Sequence, residues 1–194
     1  MSAPLVLGFD TSGAYCAAAL VHGKDVLAAV GEEMARGQAE RLIGLLEEVL
    51  EGAGRHWSDL DALGVGVGPG NFTGIRIAVS AARGLALGLD IPAVGVSLFD
   101  TTQRLSKWAQ TAVPAPRDQV YFLDPDKDRT PVLRPRQRLG TTALSTEHSP
   151  AEHARAIARI AAERAGPDTP APKPLYVKTP DAAPARDAPP TILT

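Results

Sequence analysis

The 194-residue chain holds a single cysteine, Cys16, so no disulfide can form within it. A lone thiol suits a reducing cytosol. There is no excess of either charge. At a formal net charge of −2, the chain has too little basic surplus to hold a long nucleic acid by electrostatics alone. No apolar stretch reads as long and uninterrupted enough to span a membrane. The opening MSAPLVLGFD carries no basic segment, and its apolar run stops at Asp10, which reads as a first strand. The expectation is a cytoplasmic protein with no membrane partner.

Several catalytic and metal-binding patterns are missing too. His22, His56, His148 and His153 form neither H-x-x-x-H nor H-E-x-x-H. His148 and His153 are five apart, wrong for one helix face, and read as surface residues at a helix start. DPDKD (124–128) opens like a calcium loop, but Arg129 and Pro135 stand where glycine and glutamate are needed, so it reads as a solvated turn. There is no G-x-S-x-G elbow. Cys16 lies inside an apparent strand and reads as a small core residue. No metal site is expected.

Glycine and proline are unevenly shared. Residues 1–108 hold 16 of the 18 glycines but 3 of the 17 prolines. This divides the chain into a regular first lobe, 1–108, and a short proline-rich second lobe and tail, 109–194. Eight prolines fall in 166–194, much of which cannot be helix or central strand; a docked extended tail and disorder both stay open.

Strands are predicted at 5–10, 14–21 and 25–30, a helix at 38–54, a strand at 60–68, a helix at 72–90, a strand at 91–97 and a helix at 98–109. Weaker strand patterns occupy 119–124 and 131–136. Ser149, Pro150 and Glu152 open a helix over 149–166. Three antiparallel strands leading into a parallel βαβ suit an α/β lobe of the actin-like ATPase or ribonuclease-H-like kind, a mixed sheet with helices on its faces.

Two glycine-rich turns would face the cleft of such a lobe: Asp10-Thr11-Ser12-Gly13, and GPGNFTGIR from Gly68 to Arg76. In one reading the N–H groups of Thr11, Ser12 and Gly13 and the start of the 72–90 helix bind an anion, with Asp10 holding Mg²⁺ through water. In the other, Gly66, Gly68 and Gly70 serve tight packing, and Asn71 or Thr73 is an N-cap. No P-loop lysine follows, and the G-x-G-x-x-G spacing is absent.

Both early helices carry wide apolar arcs. At about 100° per residue, Leu42, Ile43, Leu45, Leu46, Val49 and Leu50 span about 160°. In the 72–90 helix, Thr73, Arg76, Ser80 and Arg83 fill only about 80°, and the rest is apolar or small. Gly84 and Gly88 would let another helix approach. The expected partner face is Leu42, Leu46 and Val49 with Phe72, Ile75, Val79, Ala82, Leu85 and Ala86.

LGFDTSGAYCAAAL, QAERLIGLLEEVL and GVGVGPGNFTGIRIAVSAARGLALGLDIPAVGVSLFD closely resemble the TsaB (YeaZ) family over about residues 5–105. QVYFLD and PLYVKTP resemble its later segments more weakly. The chain departs from the family at Pro114-Ala115-Pro116, where D-A-R is common, and at Gln38, where histidine is frequent. The resemblance implies a subunit of bacterial tRNA threonylcarbamoyladenosine biosynthesis, related in fold to the catalytic subunit TsaD but without its metal-binding histidines. It implies a non-catalytic platform that binds TsaD through the first two helices, with TsaE joining. ATP and Mg²⁺ would sit on the partner subunits, tRNA would be reached through the complex, and the isolated chain would form a homodimer through the same face. Asp10, Thr11, Ser12, Gly13, Gly68, Gly70 and Thr73 would then be a vestigial phosphate loop. The alternatives are an active actin-like nucleotide-binding ATPase or kinase, and a metallopeptidase, the last disfavoured by the missing histidine pair. Arg76, Arg83, Arg134, Arg136 and Arg138 are candidates for direct tRNA contact that read more simply as solvated arginines.

Overall fold

In the computed structural model, which describes residues 3–177, the first sheet grows around β1 (Leu5–Asp10), buried at every position as its unbroken apolar run requires. β2 (Tyr15–His22) pairs antiparallel with β1, Leu7 opposite Leu20, and β3 (Asp25–Glu33) pairs antiparallel with β2. On the other side β4 (Ala62–Gly66) and then β5 (Ala93–Val96) add in parallel. The order β3-β2-β1-β4-β5 is that expected of an actin-like or ribonuclease-H-like lobe.

α1 (Gln38–Gly52) and α2 (Phe72–Leu89) connect these strands and bury Leu42, Leu45, Leu46, Ile75 and Val79 in the main core with Leu7, Leu20 and Leu63. α3 (Leu98–Ser106) leads to a second sheet of β6 (Thr111–Ala115), β7 (Gln119–Asp124), β8 (Asp128–Pro135) and β9 (Ala143–Leu144). Its order, β8-β7-β6-β9, repeats the first four positions of the first sheet. Where α1 stands in the first sheet, the second has only a 3₁₀ turn at Arg136–Arg138, so this lobe is an incomplete copy. β6 goes unpredicted because it contains Pro114. It is tolerated because β9 pairs only with Thr111 and Ala112, leaving that edge open further along β6.

α4 (Pro150–Arg164), late in the sequence, lies on the face of the first sheet opposite α1 and α2, where Ile157, Ala158, Ile160 and Ala161 meet Val6, Ala62 and Val94. Its approach depends on glycines in the strands. A Cβ at Gly8 would lie 2.5 Å from the Ala158 nitrogen and 2.7 Å from the Ala154 oxygen, and one at Gly64 would lie 2.9 Å from the Ala161 Cβ. The same substitution should therefore have opposite signs at two sites. Gly8→Ala forces the helix off the sheet and should cost about 1–3 kcal/mol. Gly84→Ala, on α2 with no heavy atom within 4 Å of the added Cβ, should gain about 0.5–1 kcal/mol. Urea titrations of the two variants check this.

Candidate functional site

The two glycine-rich turns come together, and what fills the space between them is the chain itself. Asp10, at the end of β1, is fully buried. Its Oδ1 accepts from the Ser12 N–H (2.9 Å), and its Oδ2 accepts from the Ser12 hydroxyl (2.8 Å) and the Tyr15 hydroxyl (2.6 Å). Desolvation, reinforced by the Asp10 charge, pushes the Tyr15 phenol well above its usual pKa, so it stays a donor. The Tyr15 ring closes over Gly13.

The second turn is bonded to the first. The Asn71 N–H donates to the Ser12 carbonyl (2.6 Å), and the Thr11 hydroxyl donates to the Gly74 carbonyl (2.7 Å). A Cβ at Gly70 or Gly74 would collide with the Ser12 or Thr11 carbonyl, and one at Gly66 with the Asp10 carboxylate. The glycines of GPGNFTG thus permit contact between two segments of one backbone. Gly68 has φ +93°, a left-handed conformation that suits glycine. Asn71 is the N-cap of α2, its side chain accepting from the Gly74 N–H at 2.9 Å. Of the expected phosphate-loop residues, Asp10, Thr11, Ser12, Gly13, Gly68 and Gly70 converge, whereas Thr73 is exposed on the first turn of α2. The Ser12 N–H expected to face an anion is already given to Asp10.

Outside this closure lies a cleft of about 820 Å³ between the lobes, lined by Tyr15, Pro69, Asn71, Leu98, Val113 and His148. His153 is 3% exposed beside it, correcting the expectation of a surface residue. α4 lies against the sheet, and its start is covered by the Ser145–Glu147 turn. The Ser145 carbonyl lies 2.8 Å from His153 Nε2, so Nε2 carries the proton, and Nδ1, 2.7 Å from Thr101 Oγ1, accepts. Desolvation holds this imidazole below its usual pKa. The His148 ring stands edge-on, 6.0 Å away. Among the described residues no three His, Cys, Asp or Glu side chains converge as a metal site would need. Cys16 is fully buried, and burial pushes its thiol up to about 11. Asp126, Lys127 and Asp128 of the DPDKD turn are exposed, while Asp124 is buried and accepts from Gln110 at 2.9 Å.

The expected partner face needs a larger correction. Leu42, Leu46, Val49, Ile75, Val79 and Ala82 are all at most 5% exposed. They are the side chains by which α1 and α2 meet their own sheet. Phe72 remains at 36% exposure, and Leu85 and Ala86 are half-buried. Leu87, 86% exposed, and Ile43, 41% exposed, lie outside the expected face. At about 100° per residue, Leu87 falls inside the stripe of Arg76, Ser80 and Arg83; a lone leucine in the polar stripe was the available signal. α2 is also long and apolar enough by length and composition to cross a membrane, contrary to the sequence expectation. Its buried residues, Gly74, Ile75, Ala78, Val79 and Ala82, meet the sheet, and the outward apolar residues are additional to them.

The described end of the tail is docked. The Leu175 N–H donates to the Val67 carbonyl (2.8 Å), and the Tyr176 ring lies 5.0 Å from that of Phe72. Tyr176 Oη accepts from Arg76 Nε at 3.0 Å, and the Arg76 guanidinium sits 3.9 Å from the Phe72 ring centre. The rest of the proline-rich tail, 178–194, lies outside the described residues.

Asn71→Ala removes the cap of α2 and should cost about 0.5–2 kcal/mol, read as a lower urea midpoint. His153 gives a pH dependence. Its folded-state pKa lies below the usual imidazole value of 6.5, so the unfolded chain binds the proton more readily. The His153 contribution is fully present above about pH 6.5 and is lost as pH falls through the lowered pKa. Urea midpoints should fall as the pH is lowered from about 7.5 to about 5.5 in the native chain and fall less in His153→Gln.

A family model described as TsaD, tRNA N6-adenosine threonylcarbamoyltransferase, matches residues 28–121. The tRNA threonylcarbamoyladenosine biosynthesis protein TsaB of Escherichia coli is 32% identical over 130 residues, covering 63% of this chain and 55% of that protein. The chain thus spans just over half the length of the curated TsaB relatives it matches. An uncharacterised Mycobacterium tuberculosis protein is 32% identical over 200 residues, covering 92% of this chain and 94% of that one. YeaZ from Pseudomonas aeruginosa superposes with a TM-score of 0.71 at 27% identity, over 91% of this chain and all of that one. With the strand order, the paired glycine turns and these likenesses together, the chain belongs to the TsaB (YeaZ) family.

Proposed function

We propose that this chain is a non-catalytic platform subunit in tRNA threonylcarbamoyladenosine biosynthesis, the modification of the adenosine beside the anticodon, and that it binds and activates a TsaD homologue. The observation that carries the reading is the outward face of α2. Leu87 stands 86% exposed between Gly84 and Gly88, neither of which has a heavy atom within 4 Å of an added Cβ. An exposed leucine flanked by glycines fits a second helix at close range. Burying that side chain contributes about 1.5–3 kcal/mol. Ile43 on α1 is a second exposed apolar side chain, at 41% exposure. The hydrogen bonds that hold Asp10 to Ser12 and Tyr15 support a structural role for the phosphate-loop residues.

On this reading a TsaE homologue joins the assembly, ATP and Mg²⁺ belong to the partner subunits, and tRNA is met in the complex. The isolated chain pairs with itself through the same helices in the cytoplasm. Light scattering on size-exclusion fractions tests it, with the chain alone and mixed with the TsaD homologue of the same organism. A homodimer that exchanges into a one-to-one complex is the expected result. Leu87→Glu with Ile43→Glu should weaken both associations about tenfold or more, about 1.4 kcal/mol, at unchanged thermal stability. A monomer that ignores the TsaD homologue would overturn the proposal, and Mg-ATP binding lost in Asp10→Asn would favour an active nucleotide site.

A further inference from the structure

The second lobe carries a charge pattern that the platform role does not use. Residues 129–138, RTPVLRPRQR, contain four arginines and no acid, in a chain whose formal net charge is −2. They form β8, the outer strand of the second sheet, and the 3₁₀ turn after it. Arg129, Arg134, Arg136 and Arg138 are all exposed. Among the described residues none of the four takes part in an ion pair.

Three of the nearby acids are engaged, while Asp126 stands exposed in the turn before β8. Asp118 accepts from Gln137 at 3.0 Å, Asp124 from Gln110 at 2.9 Å, and Asp128 from the Thr130 N–H at 2.9 Å. The Gln137 bond also pins the turn that holds Arg136 and Arg138. The Arg134 guanidinium lies 4.1 Å from the Phe122 ring centre, which orients its fork on a rigid base. At ~3.3 Å per residue, β8 runs about 20 Å from Arg129 to Pro135, long enough to follow several phosphates.

An open edge strand is also where another protein strand could add. Here Pro131 and Pro135 lie on that strand and remove N–H groups from it, which blunts pairing. Guanidinium groups without carboxylate partners, on a strand that resists augmentation, suit a chain of phosphates. We propose that the β8 edge and the 136–138 turn contact the phosphate backbone of the tRNA directly. The proposal rests on the platform reading, because a patch of four arginines adds to the hold of a catalytic subunit and does not supply it alone.

The test uses the complex of the full chain with the TsaD homologue, a fluorescent tRNA with adenosine beside the anticodon, and anisotropy titrations across a salt series. The variant Arg134→Gln, Arg136→Gln, Arg138→Gln should bind tRNA about tenfold or more weakly near 0.1 M salt, roughly the concentration where screening still permits phosphate contacts, and its log–log salt slope should be smaller by about 2. A control with the same charge change elsewhere, Lys24→Gln, Arg36→Gln, Arg55→Gln, should bind as the native complex does. Unchanged tRNA affinity in the first variant, or an equal loss in the control, overturns the proposal. So does loss of TsaD-homologue association at unchanged tRNA affinity, which would make the patch a protein contact. If the native chain does not join the TsaD homologue at all, the platform reading fails. The same titration on the chain alone then decides the patch by the same difference between the two variants.

Discussion

The fold depends on one contact, the closure of the 66–74 loop onto the 10–13 turn. The loop's backbone donates to the Ser12 carbonyl and accepts from the Thr11 hydroxyl, so the start of α2 is tied to the end of β1. Neither bond survives a side chain at Gly70 or Gly74, because a Cβ there occupies the space of the opposing carbonyls. The direction of α2, and hence the surface it turns outward, follows from this junction. Asp10 serves the same junction: its two oxygens organise the turn through Ser12 and Tyr15.

From that junction α2 divides into two faces. One packs Ile75, Ala78, Val79 and Ala82 against the sheet beside α1, and the other presents Leu87 with Gly84 and Gly88 among polar residues. At its start the Tyr176 ring and the Arg76 guanidinium, bonded to each other, both pack on Phe72, so the described tail and the helix hold each other. Burial on the inner face stabilises the fold; the outer leucine takes no part in it.

The second lobe shows what happens when a repeat is shortened. Its sheet copies the order of the first but has no helix in the place of α1. The sheet stays attached through α3, where Leu98 and Phe99 pack on Val113, Tyr121 and Leu123. Its outer strand is left with arginines and prolines, which keep an uncovered edge soluble and unpaired.

Much of the fold was legible in the sequence because periodicity reports local geometry directly. The apolar run of β1, the amphipathic arc of α1, the box at Ser149 and the succession of elements all follow from side chains within a few residues of one another. That the glycines of the 68–76 loop serve a close approach was also legible. What they approach was not, because Ser12 and Thr11 lie about sixty residues away and only the fold brings them near. The same limit explains the misassigned partner face. An apolar arc says that a helix is covered, and only the tertiary structure decides by what: for Leu42, Leu46 and Val79 it is the chain's own sheet, while His153 is buried where α4 meets Thr101 of α3, 52 residues earlier, and the Ser145 carbonyl.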